Sequence, residues 1–276
     1  MKKTKLIPPC TYQGGKQRYA KQIVDIIFDE NDINTKTKFY DLCCGSGSIT
    51  LELINRGVNP KNITMIDKSM WGMFYKQIGD GTFDTDVLKE CLNRIPSEKF
   101  LVQDYMKSLA ERETDDNDVY IYLLLQASSF GGKQVDMING KWKHHGFRSY
   151  WQPTETSVRK SPVNPMQPTQ DELLKRVCRI VEECKGVNAV HDDILNVKIE
   201  YNENTIIYID PPYMNTTSYN HDIDIIKLCE SLRIRTYISE SVAISERNYD
   251  LQLVGAKGGI TAKKNSRTKE VLNVFN

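Results

Sequence analysis

A short stretch in the second half of the chain has the residue types that chemistry on an amino group needs. The run TIIYID, residues 205–210, predicts a strand, and Pro211, Pro212 and Tyr213 follow it directly. Proline fixes its own φ and holds the preceding residue in extended geometry, so the Asp210 carboxylate and the Pro211 carbonyl can point at one spot. Two acceptors at one place suit an –NH₂ group and stabilise the positive charge that develops when an aromatic amine attacks an electrophile. Tyr213 adds a ring face on which an extruded base can stack; the alternative is a Pro-Pro turn with Asp210 as its acceptor.

Two segments nearer the amino terminus have residues suited to holding a cofactor. DLCCGSGS, residues 41–48, places Gly45 and Gly47 after a predicted strand, where they allow a sharp turn and a close approach of backbone to a ligand. Asp67 ends the next predicted strand, and an acid at that distance can accept hydrogen bonds from both ribose hydroxyls of an adenosine cofactor. A phosphate or the amino-acid end of S-adenosylmethionine fits such a loop, whereas the P-loop lysine is missing. The structural alternatives are a plain turn and a helix N-cap.

A third segment, YQGGK at residues 12–16, precedes the first predicted helix. Its two glycines favour another close approach of the backbone, and Lys16 can pair with a carboxylate. A surface loop explains the same residues equally well.

The pattern around these segments predicts an α/β fold. Residues 16–30 and 49–57 have helical periodicity, and strands are expected at 37–41 and 62–67. A strand–helix–strand unit of this kind predicts a parallel sheet with a right-handed crossover. Thr169 and Glu172 form a capping box at the start of an amphipathic helix. Further strands are expected at 187–193, 205–210, 235–241, 250–256 and 269–275, the last two as a terminal antiparallel hairpin.

The region between these parts is less regular. Residues 80–168 mix helical stretches with a long run rich in glycine, proline and polar residues, and a loop of that length is usually functional or disordered. We therefore predict a doubly wound α/β core formed by residues 1–70 and 169–276, with a smaller module inserted at 71–168. Basic and aromatic side chains that can contact phosphates and bases alternate in this module: Lys141, Lys143, His144, His145, Arg148, Arg159, Lys160, Trp142, Phe147, Tyr150 and Trp151.

Composition limits the function classes without selecting one. The 276 residues are 39% hydrophobic and 26% charged, with a formal net charge of +1, so only a local basic patch could attract nucleic acid. No run of transmembrane length and no signal peptide is apparent. The seven cysteines include no C-x-x-C pair, and the four histidines complete no zinc spacing. We expect a cytoplasmic protein with reduced thiols, no bound metal and no membrane association.

Taken in order, the segments resemble the DNA adenine-N6 methyltransferases of the Dam type. That family begins with W-x-G-G-K, continues with a strand, a glycine loop and an acid after the second strand, and ends with D-P-P-Y and an E-V-L strand. The matching segments here are YQGGK, FYDLCCGSGS, ITMID, YIDPPY and RTKEVLNVF. In the middle, YIYLLLQASSFGGKQ and GFRSYWQP resemble the family's Y-L-N-R-x-x-F-N-G and F-G-x-Y segments, so the resemblance spans nearly the whole chain.

The resemblance implies transfer of a methyl group from S-adenosylmethionine to adenine N6 in double-stranded DNA, with base flipping and no metal, by a monomer or weak dimer. The catalytic residues it implies are Asp210, Pro211, Pro212 and Tyr213. The cofactor-binding residues it implies are Tyr12, Gly15, Lys16, Asp41, Cys43, Gly45, Gly47, Asp67, Asp193, Ile194 and Asp210. The DNA contacts that we expect are Lys133, Gln134, Lys141, Lys143, His144, Arg148, Tyr150, Lys263 and Arg267.

The chain departs from the family pattern at two places. Tyr12 replaces the usual tryptophan, and Lys133, Gln134 and Val135 stand where members that read GATC commonly have an arginine. The second departure bears on the recognition sequence and not on the chemistry. A cytosine-N4 or RNA adenine methyltransferase and a catalytically silent DNA-binding homologue are the open alternatives, whereas the Pro-Pro-Cys at 8–10 ends no predicted strand and does not support cytosine-C5 chemistry. The resemblance also implies a bacterial or phage-infected host, a solitary phage enzyme or restriction-modification partner, catalysis in residues 1–70 and 169–276, and target recognition in the module at 71–168.

Overall fold

The main sheet has seven strands in the part of the chain that the computed structural model describes, which is residues 4–149, 151, 168–212, 225–252 and 270–276. Together with a separate pair, β3 and β4, the described residues form nine strands. They are β1 (Lys38–Leu42), β2 (Ile63–Ile66), β3 (Asp136–Ile138), β4 (Lys141–Lys143), β5 (Asn188–Val190), β6 (Thr205–Ile209), β7 (Thr236–Glu240), β8 (Arg247–Leu251) and β9 (Glu270–Phe275). The α-helices are α1 (Ala20–Glu30), α2 (Ser48–Asn55), α3 (Met70–Asp80), α4 (Thr85–Asn93), α5 (Lys99–Glu111), α6 (Asp118–Ser128), α7 (Gln170–Glu183) and α8 (Ile225–Leu232). Short 3₁₀ turns lie at Pro60–Asn62 and Phe130–Gly132.

The strand order is β5-β2-β1-β6-β7-β9-β8, and β3 and β4 form a separate two-stranded sheet. The first five strands of the main sheet are parallel, and β9 pairs antiparallel with both β7 and β8. The expected mixed, mostly parallel sheet ending in an antiparallel pair is confirmed. The strand expected at 250–256 lies earlier, at Arg247–Leu251, because Tyr249 pairs with Leu272 in the ladder.

The order of the strands creates a switch point between β1 and β6. The chain moves outward from β1 to β2 and β5, and then returns to the other side of β1 to form β6. In open parallel sheets, the crevice outside the carboxyl ends of the strands at such a point is the usual place for a ligand. All five residues of β6 are buried, as expected for a strand covered on both faces.

Two apolar layers cover the sheet. The larger contains Ile23 of α1, Phe74 of α3 and Val177 of α7, and the smaller contains Ile207, Ile209 and the α8 residue Cys229. The side chains of β6 alternate between these two layers, so the sheet is covered on both faces at its centre. Among the described residues, no helix is long and apolar enough to cross a membrane.

The region between residues 80 and 168 contains the expected helical stretches and, within the loop-rich run, a hairpin that was not expected. α4, α5 and α6 lie between residues 85 and 128, and the β3–β4 hairpin turns at Asn139 and Gly140, which both have positive φ. Asn-Gly with this geometry is a strong hairpin signal that the sequence analysis missed, since a glycine- and lysine-rich context obscured it. α3 contacts β2 and β5, and Gly79 lies against the Val187 backbone. The domain boundaries at 70 and 168 stay a prediction.

Candidate active site

The glycine loop after β1 is shaped by close packing. Cys43, Gly45 and Gly47 all have positive φ, at 57°, 50° and 76°. A Cβ added to Gly47 would lie 2.2 Å from the Tyr75 hydroxyl, which donates a 2.8 Å hydrogen bond to the Ser46 carbonyl. The loop therefore needs glycine at 47 for backbone conformation and for space.

Asp67 connects this loop to the next strand. Its carboxylate accepts hydrogen bonds from the Gly45 N–H at 2.7 Å and from the Ser69 N–H at 2.8 Å. Asp67 is not the N-cap of the next helix, which was the structural alternative. The N-cap of α3 is Ser69, whose hydroxyl accepts a hydrogen bond from the Trp71 N–H. An ionised carboxylate has about four acceptor positions, so Asp67 retains capacity for hydroxyl donors of a ligand.

Asp41 faces inward. Its Oδ2 accepts from the Thr50 backbone N–H at 3.1 Å and from the Thr50 hydroxyl at 2.7 Å, which fixes the start of α2. Burial raises the pKa of Asp41 to about 7; the Thr50 hydrogen bonds lower it, and the nearby Asp210 and Asp67 charges raise it. The contacts shown by Asp41 are structural, and its implied cofactor contact stays a prediction.

Asp210 lies at the switch point and is held from two sides. Its backbone N–H donates to the Leu42 carbonyl at 3.1 Å, which continues the β1–β6 ladder beyond Ile209. Its carboxylate pairs with Lys16 Nζ at 2.5 Å, and the lysine is buried. Burial raises the pKa of Asp210 to about 6; Lys16 lowers it, and Glu270 and Glu240 raise it.

The YQGGK segment brings Lys16 to this position. The expected pairing of Lys16 with a carboxylate is confirmed, since its ammonium contacts Asp210, the Gly14 carbonyl at 2.9 Å and Glu270 at 3.8 Å. The Tyr12 ring lies beside Gly45, where an added Cβ would be 3.2 Å away, and makes an edge contact with Trp71 at 5.8 Å. The segment is therefore part of the site and not a plain surface loop.

The residues after β5 reach the same edge of the sheet. Asp193 lies 3.5 Å from Lys68 Nζ and accepts from the Leu195 N–H at 3.1 Å. Ile194 is buried in the smaller apolar layer with Leu42 and Ile209. Ile194 thus contributes packing, and any contact it makes with a cofactor stays a prediction.

The acids of three strands surround the glycine loop. The pKa of the Cys43 thiol is raised well above its ordinary value by burial and then by the charges of Asp67, Asp210 and Asp193. These acids follow β2, β6 and β5, so carboxylates from three strands meet at the carboxyl edge of the sheet around one loop. Lys16 pairs with Asp210 and Lys68 pairs with Asp193, so lysines offset two of the three charges.

The residues expected to contact DNA divide into exposed and internally bonded side chains. Lys133, Lys141 and Lys143 are exposed on or beside the β3–β4 hairpin, whereas Gln134 is half-buried and donates to Asp136 at 2.8 Å. His144 stacks on Phe147 at 4.4 Å and accepts from the Gly146 N–H. Arg148 donates to the Ala127 carbonyl at 2.7 Å, with its guanidinium 5.3 Å from the Trp151 ring. Tyr150, Tyr213, Lys263 and Arg267 lie outside the described residues, as do Arg159 and Lys160.

The exposed aromatic residue Phe130 was not identified from the sequence as a candidate site residue. Phe130 is 65% exposed on the 3₁₀ turn that follows α6, close in sequence to Lys133. The signal that could have found it is an aromatic residue between two serines and two glycines, a context that favours a turn over a buried core position.

Two cavities lie away from the carboxyl edge of the sheet. One of about 450 Å³ is lined by residues that include Arg235, Arg247 and Asn276, and one of about 420 Å³ by residues that include Lys5, Lys21 and Arg179. Arg235 precedes β7 and Asn276 follows β9, so the first lies at the opposite end of the strands. The chemistry of the acidic edge, and not cavity size, selects the candidate site.

No protein-family model and no curated protein matches this chain. The assignment of function therefore rests on the site and on the sequence motifs that form it.

Proposed function

We propose that this protein transfers a methyl group from S-adenosylmethionine to the N6 amine of adenine in double-stranded DNA. The observation that carries the proposal is the placement of Asp210. Its carboxylate stands at the switch point of a mostly parallel sheet, beside the glycine loop, and is fixed by both a backbone hydrogen bond and a buried lysine. The resemblance to Dam-type enzymes, which spans the same segments in the same order, supports the assignment.

The residues around the glycine loop fit the cofactor. Asp67 would accept from its ribose hydroxyls, and Tyr12 with the backbone near Gly45 would hold its amino-acid part. The acidic edge formed by Asp67, Asp193 and Asp210 favours its positive charges. When bound, the cofactor supplies an electrophilic methyl group whose leaving group is a neutral thioether.

Asp210 and Pro211 then act on the target amine. Pro211 is buried and keeps the Asp210 backbone extended, so the carboxylate and the Pro211 carbonyl form a rigid pair of acceptors. Both accept hydrogen bonds from the –NH₂ group, which localises the nitrogen lone pair and stabilises the charge that develops on attack. The ionised form of Asp210 is the active one, and Lys16 favours it.

Methylation assays with nucleoside analysis test the proposal. The purified protein is incubated with methyl-labelled S-adenosylmethionine and with unmethylated duplex DNA, and the digested products are separated by mass spectrometry. N6-methyladenine in the duplex is the expected product. N4-methylcytosine, label only in RNA, or DNA binding without any cofactor uptake would overturn the proposal in favour of one of the three alternatives.

Asp67 gives a separate prediction on cofactor binding. Asp67→Asn should raise the Kd for S-adenosylmethionine by about 10-fold or more, since a hydrogen bond to a charged group contributes about 1.5–3 kcal/mol. Isothermal titration measures the Kd. Asp192→Asn is the matched control: it removes a charge from an exposed residue at the same edge of the sheet and should change the Kd less than about twofold. Equal effects of the two variants would argue against a ribose contact.

The exposed lysines give a prediction on DNA affinity. Replacing Lys133, Lys141 and Lys143 together by Gln should weaken duplex binding and reduce the slope of log K against log salt by about 0.9 for each phosphate that the variant no longer neutralises. Fluorescence anisotropy at several salt concentrations measures this slope. Lys36, Lys61 and Lys89, replaced together by Gln, form a control of equal charge on other parts of the surface. An unchanged slope in the first variant would exclude the hairpin from the DNA interface.

A further inference from the structure

The loop of residues 11–16, which we name the N-terminal loop, contacts the glycine loop along one side. The Tyr12 ring lies beside Gly45, and an added Cβ on Gly15 would be 3.4 Å from the Ser46 hydroxyl. The N-terminal loop closes on itself through a 3.0 Å hydrogen bond from the Gly15 N–H to the Tyr12 carbonyl.

The other side of the N-terminal loop contacts the 3₁₀ turn after α6. The Gln13 N–H donates to the Gly132 carbonyl at 2.8 Å, and the buried Gln126 amide donates to the Thr11 carbonyl at 3.4 Å. A Cβ added to Gly132 would lie 2.8 Å from Thr11 Cγ2. The outward side of this turn carries the exposed Phe130.

The N-terminal loop ends at Lys16, which is bonded to Asp210. Direct contacts therefore run from the turn at 130–133 through residues 11–16 to the acceptor carboxylate. The hydrogen bond from the Gln13 N–H to the Gly132 carbonyl joins the turn to the N-terminal loop, so we expect a shift of the turn to move this loop.

We propose that Gly132 is a positioning residue: it seats the N-terminal loop so that Lys16 meets Asp210, and thereby couples the turn at 130–133 to the acceptor site. The catalytic part of this inference rests on the proposed function. Glycine is required because its carbonyl has to reach the Gln13 N–H while Thr11 passes directly over its Cα.

Displacement of Lys16 has an electrostatic consequence. The charged groups that face Asp210 include Lys16, Glu270, Glu240 and Asp41, so the lysine opposes the effect of three further acids. Loss of its charge raises the pKa of Asp210 further, because burial and the three acids then act with less opposition. Because the ionised form of Asp210 is the active one, the fall of the rate on the acid side of the pH–rate profile, its acid limb, should move to higher pH.

Gly131 provides a matched control. Gly131 and Gly132 have almost the same φ, at +69° and +70°, so alanine meets the same backbone strain at either position. An added Cβ meets nothing within 4 Å at Gly131, whereas at Gly132 it meets Thr11. Comparing Gly132→Ala with Gly131→Ala therefore isolates the contact with the N-terminal loop. Thr11→Ala in the Gly132→Ala background removes the closest atom and is the rescue variant.

Two readouts test the inference. Hydrogen exchange in the peptide covering residues 11–16 should be faster in Gly132→Ala than in Gly131→Ala, and the rescue variant should restore protection. The kcat of Gly132→Ala should fall about tenfold or more with its acid limb about one pH unit higher, and Gly131→Ala should keep the wild-type limb.

The outcomes separate this inference from the proposed function. Equal exchange in the two glycine variants, or the same acid limb for both, would overturn the coupling. A wild-type protein without methyl transfer would refute the proposed function, and the exchange comparison would still decide whether Gly132 seats the N-terminal loop.

Discussion

Asp210→Asn is expected to reduce the rate of methyl transfer by about 10²- to 10³-fold while the protein stays folded. The amide is nearly isosteric with the carboxylate, but it cannot supply a negative charge to the positive nitrogen that develops during attack. The Asp210 N–H bond to the Leu42 carbonyl is a backbone contact and survives the change. Single-turnover kinetics with saturating cofactor measure the chemical step, and circular dichroism measures the fold.

The pH dependence of the wild-type rate adds a second observation to this prediction. Because the active form is ionised and the pKa of Asp210 is about 6, the rate should fall as the pH drops below about that value. Glu240→Gln is the control, since it removes a neighbouring charge that raises the pKa of Asp210 and leaves the acceptor in place. Its plateau rate should be retained, with the acid limb at lower pH. A fully active Asp210→Asn variant would contradict the assigned role.

The mostly parallel sheet and the residues at the carboxyl ends of its strands could be predicted from the sequence, whereas the strand order could not. Asp67 and Asp210 end runs of β-branched and apolar residues, and parallel strands place their carboxyl ends at one edge. The proximity of these two acids to the glycine loop therefore follows from local pattern and fold class together. The same reasoning gave the capping role of Thr169, whose hydroxyl accepts from the Glu172 N–H.

The partners of the site residues could not be predicted in this way. Lys16 and Asp210 are 194 positions apart, and only the packing of the N-terminal loop against the sheet brings them together. Asp41 looks like a ligand-binding acid in the sequence, but Thr50 lies near the start of α2 and takes its carboxylate. The Glu172 carboxylate, which the capping box would direct back to Thr169, accepts from Arg176 on the next turn of α7. Such choices depend on which donor is nearest in space.

The conformation of the glycine loop gives the largest expected effect on stability. Gly47→Ala should lower the free energy of unfolding by about 2–5 kcal/mol, with about 1–2 kcal/mol from the left-handed backbone and about 1–3 kcal/mol from overpacking against Tyr75. The Tyr75 ring cannot retreat easily, because it is fully buried and contacts Phe74 at 4.9 Å. Urea denaturation followed by fluorescence measures the change.

Gly81→Ala separates the two contributions in that prediction. Gly81 ends α3 with a φ of +73°, close to the +76° of Gly47, and an added Cβ there meets nothing within 4 Å. Gly81→Ala should therefore lower the free energy of unfolding only by the contribution of the left-handed backbone, about 1–2 kcal/mol. The difference between the two variants measures how firmly Tyr75 and the Ser46 carbonyl hold the loop beside Asp67. Equal losses in both variants would mean that the glycine loop moves aside at no cost, and a loop that soft could not hold a sulfonium donor in line with an amine at Asp210.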